Sequence, residues 1–215
     1  MRGKVKQKLK DIYKKLYCAF GPQGWWPGDS AFEVMVGAIL TQNTNWQNVS
    51  RAINNLKKDK SLSINKLYAM PAHELAQLIR PVGYYNIKAK RLKNFFAFLL
   101  KNYKGNIRQM VKKDLFLLRK ELLSVNGVGE ETADSMLLYA IKKPIFVVDA
   151  YTRRIFSRHK LIPEGADYAQ TQELFMDNLK ADIKMFNEYH ALIVKLGKDF
   201  CRKQNPRCQE CPLRD

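Results

Sequence analysis

Acidic side chains are scarce in this chain: 20 Asp and Glu stand against 38 Lys and Arg, a formal net charge of +18 over 215 residues. Long apolar runs are missing as well. No stretch of 18 or more apolar residues occurs, so nothing reads as a membrane-spanning helix. The first twenty residues, MRGKVKQKLKDIYKKLYCAF, lack the unbroken apolar centre of a signal peptide because lysines interrupt it. Cysteine is sparse, with four in all, and without a secretory signal four do not read as a disulfide framework. Also missing are a Gly-rich nucleotide-binding loop, an internal repeat and a low-complexity segment. Together these exclude membrane, secreted and repeat classes and leave a cytoplasmic globular protein as the expectation.

What is present begins with charge. A surplus of this size points to a polyanionic partner, nucleic acid ahead of an acidic membrane surface. The lysines are spread along the chain, which favours a folded basic face over a charged tail. Hydrophobic residues make up 46%, enough for a buried core.

Nearly every segment carries helical spacing. Val5, Leu9, Ile12, Leu16 and Phe20 recur every three or four residues, an amphipathic helix. SAFEVMVGAIL opens as a capping box, Ser30 with Glu33. Trp46–Leu56, Pro71–Ile79, Asn86–Leu100, Asp114–Leu123, Glu130–Ile141 and Asp167–Leu179 show the same pattern, with Pro27, Gly83, Gly105, Pro144 and Pro163 as punctuation. PIFVVD alone looks like a strand, and it is short and starts with proline. The expected fold class is all-α.

The stretch SVNGVGEETADSML sets a Gly-Val-Gly turn between two of these helices. Without Cβ atoms, Gly127 and Gly129 let the turn's amides and the free N–H groups of the following helix approach a phosphate. Such a contact positions a protein on DNA without reading sequence. On its own the pattern is equally an ordinary turn between helices; the basic composition shifts it toward phosphate binding. Glu130 and Glu131 suit a helix N-terminus, where acids gain from a few tenths to about 1 kcal/mol. Asp149 before AYTRRIFSR is, from the residues alone, as well read as an N-cap as a catalytic carboxylate.

VNGVGEETAD followed by VVDAYTRRIFSR resembles the helix-hairpin-helix and Gly/Pro–Asp signature of the endonuclease III superfamily of DNA glycosylases. LTQNT, VGYYNIKAKRL and the C-terminal cysteines fall in that family's order, from about Trp25 onward. The resemblance implies two helical modules, a contiguous six-helix barrel over 22–135 and a second module from 1–21 and 136–215, with the active site in the cleft between them. It implies a monomer acting on double-stranded DNA with a damaged base, nucleoid-associated in the cytoplasm. Bifunctional members carry a lysine that attacks C1′ as an amine and forms a Schiff base. Aligned through Gly127-Val128-Gly129 and Thr132-Ala133, that place is held by Glu131, and a carboxylate cannot form an imine. The implication is a monofunctional enzyme without efficient lyase activity. Asp149 takes the family's catalytic place, stabilising the sugar cation and activating water.

WWPGDSAFEVMVGAILTQNTNW is similar to the 3-methyladenine DNA glycosylases of that superfamily, in which aromatics from two such positions sandwich the flipped base. This implies a pocket from Trp25, Trp26, Pro27, Trp46 and Glu131, although each tryptophan taken singly reads as core. A methylated purine is cationic and gains roughly 0.5–2 kcal/mol over an indole face. The same resemblance gives Gln42 and Tyr84 a place in the gap left by the flipped nucleotide. It gives DNA contacts to Val125, Gly127, Val128, Gly129 and Thr132, and to Arg202 and Lys203 in the basic loop CRKQNPRC, where Arg207 adds charge.

Cys201-x6-Cys208-x2-Cys211 matches the first three ligands of that family's [4Fe–4S] loop, whose fourth cysteine would fall at position 217, beyond the given sequence. A cluster is thus possible but short of one ligand; zinc is the lesser alternative. Rival functions are a uracil or thymine mismatch glycosylase, an oxidised-base glycosylase, and a non-catalytic DNA-structure-binding protein. An adenine-specific branch would need a glutamate where Gly37-Ala38 stand.

Overall fold

Six helices of this protein start on a short polar side chain that accepts from their first turn. In the computed structural model, which describes residues 2–214, Ser30 Oγ accepts from Glu33 N at 3.1 Å and opens α2 (Ala31–Leu40). The return arm of the expected capping box goes elsewhere: Glu33 accepts from Asp29 N at 3.3 Å and pairs with Lys57 at 2.7 Å. Asn45 caps α3 (Trp46–Lys58), and α4 (Ile64–Ala69) and α5 (Ala72–Leu78) follow. After a 3-10 turn at Arg80–Val82 comes the long α6 (Tyr85–Tyr103), then α7 (Arg108–Val111) and α8 (Leu115–Leu123), capped by Asp114. α9 (Glu130–Ser135) runs on as a π turn, Met136–Ala140, with Ile141 N donating to Met136 O. The remaining helices are α10 (Ala150–Arg158), α11 (Tyr168–Met176) and α12 (Ile183–Asp199), besides α1 (Arg2–Phe20) at the start. No strand occurs among the described residues, and the all-α expectation holds.

The chain divides into two compact units: residues through Trp26 with those from Pro144 onward, and Pro27–Lys143. The sequence-based limits of 22 and 135 differ from these by five and eight residues. α9 passes through position 135 into its π turn, and that turn packs on α2, so the break falls only after it.

In the Pro27–Lys143 unit, α2 is the centre, apolar and buried from Val34 to Leu40. It meets α3, α6, α9 and the π turn, while α5 lies on α6. Phe95, Phe96 and Leu99 of α6 are fully buried, each side chain contributing roughly 1.5–3 kcal/mol of transfer free energy.

The other unit is held by α12, which packs on α1 and α10. Its core is aromatic: Phe146 stacks on Phe175 with centroids 3.7 Å apart, and Phe156, Phe186 and Tyr189 meet these rings edge-on. Tyr189 Oη donates to Leu9 O at 2.8 Å and so ties α12 to the N-terminal helix. The strand-like PIFVVD takes no regular secondary structure and pairs with no strand among the described residues. Its polar groups go to α11 instead, with Phe146 O accepting from Gln172 at 2.6 Å and Val148 N donating to Tyr168 Oη at 3.3 Å. No described helix is long and apolar enough to cross a membrane.

Candidate active site and nucleic-acid interface

The hairpin is built by two helices locked together from behind. Arg119 of α8 holds Asp134 of α9 in a two-pronged pair, Nε to Oδ1 at 2.7 Å and Nη2 to Oδ2 at 3.1 Å, with Asp134 wholly buried. Planar forks of this kind are among the stronger polar contacts. Between the helices, Val125 and Val128 point inward at 7% and 5% exposure, and Val128 N donates to Val125 O at 2.9 Å. Both valines therefore anchor the turn. Gly127 has φ +97°, a region that favours glycine, and a Cβ there would fall 2.3 Å from Arg91 Cγ. Gly129 is the N-cap of α9, whose first turn carries Glu130 and Glu131. Glu130 lies 3.5 Å from Arg119, and Glu131 is exposed. The early N–H groups of a helix have no acceptor within the helix, so this turn presents donors to an anion.

Gln42 is brought to the hairpin directly. Its Nε2 donates to Gly127 O and to Thr132 Oγ1, both at 2.9 Å, while Arg91 Nη1 donates to its Oε1 at 2.5 Å. Thr132 itself is buried. Tyr84 stands apart as the N-cap of α6, in left-handed backbone at φ +45° and 69% exposed. Trp46 is half-buried at the first position of α3, fixed by Asn45 Oδ1 accepting from Asn48 N at 3.0 Å. Pro27 is exposed.

In the unit made by the chain ends, Asp149 is both of the things its sequence allowed to this extent: it is the N-cap of α10, and it is a buried carboxylate. Its Oδ1 accepts from Thr152 N at 2.7 Å and from Thr152 Oγ1 at 2.8 Å, at 8% exposure. Its Oδ2 lies 3.7 Å from His190 Nε2. Burial, which favours the neutral ring, holds the His190 imidazole below its ordinary pKa, and the Asp149 charge opposes this by favouring the protonated ring. Tyr151 completes the surroundings. Its phenol is pushed up by burial and then by Asp149, and it lies against Gly197 of α12, where a Cβ would sit 2.3 Å from Tyr151 Cδ1.

His190 and Gly197 were missed in the sequence because α12 was not recognised there. The signal existed: Asp182 accepts from Met185 N, and Phe186, His190, Ile193 and Gly197 follow at helical spacing.

Trp25 and Trp26 are half-buried and meet edge to face with centroids 5.5 Å apart, and Lys198 Nζ stands 6.0 Å over the Trp25 ring. Arg202 and Lys203 are exposed on a loop whose carbonyls are gathered by α10. Arg158 donates to Arg202 O at 2.8 Å and Lys203 O at 3.2 Å, and Arg154 to Cys201 O at 2.8 Å. Arg207 lies over Phe200 at 5.6 Å and pairs with Glu210.

The cysteines give the loop three thiols where a [4Fe–4S] cluster needs four ligands. Cys201 Sγ accepts from Arg158 at 3.3 Å, and burial raises the Cys211 thiol. No group of three His, Cys, Asp or Glu among the described residues is disposed to hold a metal ion. Cys201, Cys208 and Cys211 are of the ligand type that such a cluster takes.

The pattern of the HhH-GPD superfamily base excision DNA repair proteins matches residues 36–181. The chain belongs to that superfamily. MJ1434 of Methanocaldococcus jannaschii, assigned by name to the DNA repair glycosylases, is 53% identical over 211 residues, 97% of this chain and 95% of that one. Endonuclease III of Thermotoga maritima is 28% identical over 184 residues, 86% of this chain and 81% of that protein. Among solved structures, a trapped endonuclease III–DNA covalent intermediate superposes with TM-score 0.82 at 23% identity, covering 97% of this chain and 93% of that one. A Helicobacter pylori 3-methyladenine DNA glycosylase bound to 1,N6-ethenoadenine superposes with TM-score 0.75 at 27% identity, covering 92% and 97%. As an HhH-GPD protein the chain is a base excision repair DNA glycosylase.

Proposed function

We propose that this glycosylase is monofunctional and releases an alkylated purine such as 3-methyladenine. The observation that carries the reading is Glu131 in the first turn of α9, where imine chemistry requires an amine. Lys88, its ammonium pulled down by burial to about 8, is no substitute. It is buried, with Nζ donating to Leu40 O and Val82 O. Support for the base comes from the Helicobacter pylori neighbour, named for 3-methyladenine and bound to an alkylated adenine. Trp46 is the indole on which stacking rests most, since Trp25 is already met by the Lys198 ammonium.

In this reading the C1′–N bond of the flipped nucleotide breaks with its electron pair passing to the base. A cationic methylpurine thereby leaves neutral, and positive charge builds on the sugar. Asp149 faces that charge with a carboxylate already fixed by Thr152, so little reorganisation accompanies the step. Water forms the new bond to C1′, and its proton passes to the Asp149 carboxylate. Gly127 and Gly129 set the hairpin amides against a phosphate, with Val125 and Val128 as anchors and Thr132 with Gln42 behind the turn. Tyr84, exposed on its left-handed corner, enters the gap left by the base, and Arg202 and Lys203 meet backbone phosphates. Asp149→Asn keeps the shape and removes the charge. It is expected to abolish base release while binding of undamaged duplex stays within about twofold, since phosphate contacts carry that binding. Turnover near wild type removes Asp149 from the mechanism.

A further inference from the structure

The N-terminal half of α6 carries Lys88, Arg91 and Asn94, whose contacts the chemistry above does not use. Lys88, Arg91 and Asn94 are spaced by three residues, so each neighbours the next on the helix surface. Each reaches a different segment of the Pro27–Lys143 unit. Lys88 is 2% exposed and donates to Leu40 O at 2.9 Å and Val82 O at 3.1 Å. Leu40 is the last residue of α2, just before the loop with Gln42; Val82 is just before Gly83 and Tyr84, both at positive φ. Asn94 Nδ2 donates to Asn126 O, in the hairpin turn, at 3.1 Å.

Arg91 sits between them and has the most to do. Its Nη1 holds Gln42 Oε1, and the Gln42 amide in turn holds Gly127 O and Thr132 Oγ1. Its stem occupies the space over Gly127, within 2.3 Å of where a Cβ would stand. A cation at the edge of a DNA-binding turn would ordinarily be read as a phosphate contact. Here the guanidinium is turned to the protein's own amide.

We infer that Arg91 is a positioning residue: it acts on DNA through Gln42 and the hairpin backbone, and Lys88 and Asn94 hold the flanking segments in register with it. This rests on the chain's DNA binding and not on which base is released, so it stands or falls independently of the alkylpurine reading.

Salt titration of undamaged-duplex binding separates the two roles. A cation that neutralises a phosphate contributes about 0.9 to the slope of log affinity against log salt. Arg91→Met is expected to weaken binding about tenfold at fixed salt, as loss of a charged hydrogen bond would, with the slope unchanged. Gln42→Ala should give a similar loss, and the double variant should be no more than about twofold weaker than either single one, as residues in one network behave. A slope lowered by about 0.9 in Arg91→Met, or losses that multiply in the double variant, would overturn the assignment. Should Arg91→Met not fold, Gln42→Ala alone carries the test, because wild-type affinity in that uncharged variant contradicts the relay.

Discussion

Gly127→Ala tests how the hairpin is made. Two costs add. An L-residue at φ +97° is strained by about 1–2 kcal/mol. The new methyl would also lie 2.3 Å from Arg91 Cγ and 2.9 Å from both Arg91 Cβ and Cδ. Atoms that close to the start of a side chain move only with their backbone or by changing rotamer, and overpacking of this kind costs about 1–3 kcal/mol. The sum is about 2–5 kcal/mol, or a lowered Tm of about 4–20 °C for a chain of this size. Urea unfolding measures it, and duplex binding should weaken in step because the Arg91–Gln42 contact is the easiest to give way. Arg91→Ala in the same chain removes Cγ and Cδ and leaves only Cβ 2.9 Å from the new methyl, so adding Gly127→Ala to that background should cost less than in the wild type, though more than the backbone strain of about 1–2 kcal/mol alone. A single Gly127→Ala variant within about 0.5 kcal/mol of wild type, or an equal cost in both backgrounds, refutes the packing argument.

Gly197→Ala should push Tyr151 away from α12 and disturb Asp149 beside it. Base release is expected to fall about tenfold or more, as small misplacements of reacting groups do, with duplex affinity unchanged; an unaffected rate contradicts it. Lys88 has a folded pKa of about 8, below its unfolded value of 10.5. The unfolded chain therefore binds more protons between pH 8 and 10.5, and the wild type should gain stability over Lys88→Met as pH rises through that window, with a flat difference below pH 8. Melting curves of the pair at pH 7, 8, 9 and 10 check the sign, and a difference that stays constant throughout excludes it.

Much of the helical frame was legible in the sequence because capping residues and apolar spacing are local. Asp114 before α8 and the boundaries of α3 and α6 need no tertiary information. PIFVVD looks like a strand, yet its polar groups are met by Gln172 and Tyr168 of a helix twenty or more residues on, not by a neighbouring strand. Asp149 was visible, but its setting was not, since His190 and Tyr151 reach it from α12 and from the turn of α10 that Gly197 admits. Gln42 shows the same limit. Its place in LTQNT is written in the sequence, while its bonds to Gly127 and Thr132 span 85 and 90 residues. Lys88 is a buried strut, and nothing in its local sequence sets it apart from the other lysines.

The measurement that bears most directly on the proposed chemistry is base release from methylated duplex DNA, run beside uracil, mismatched-thymine and oxidised-base duplexes, each with a borohydride trap. Free 3-methyladenine without a trapped protein–DNA complex is the expected result, because Glu131 offers no amine to C1′. A strong covalent band, or release of uracil or mismatched thymine with methylated purines untouched, contradicts it.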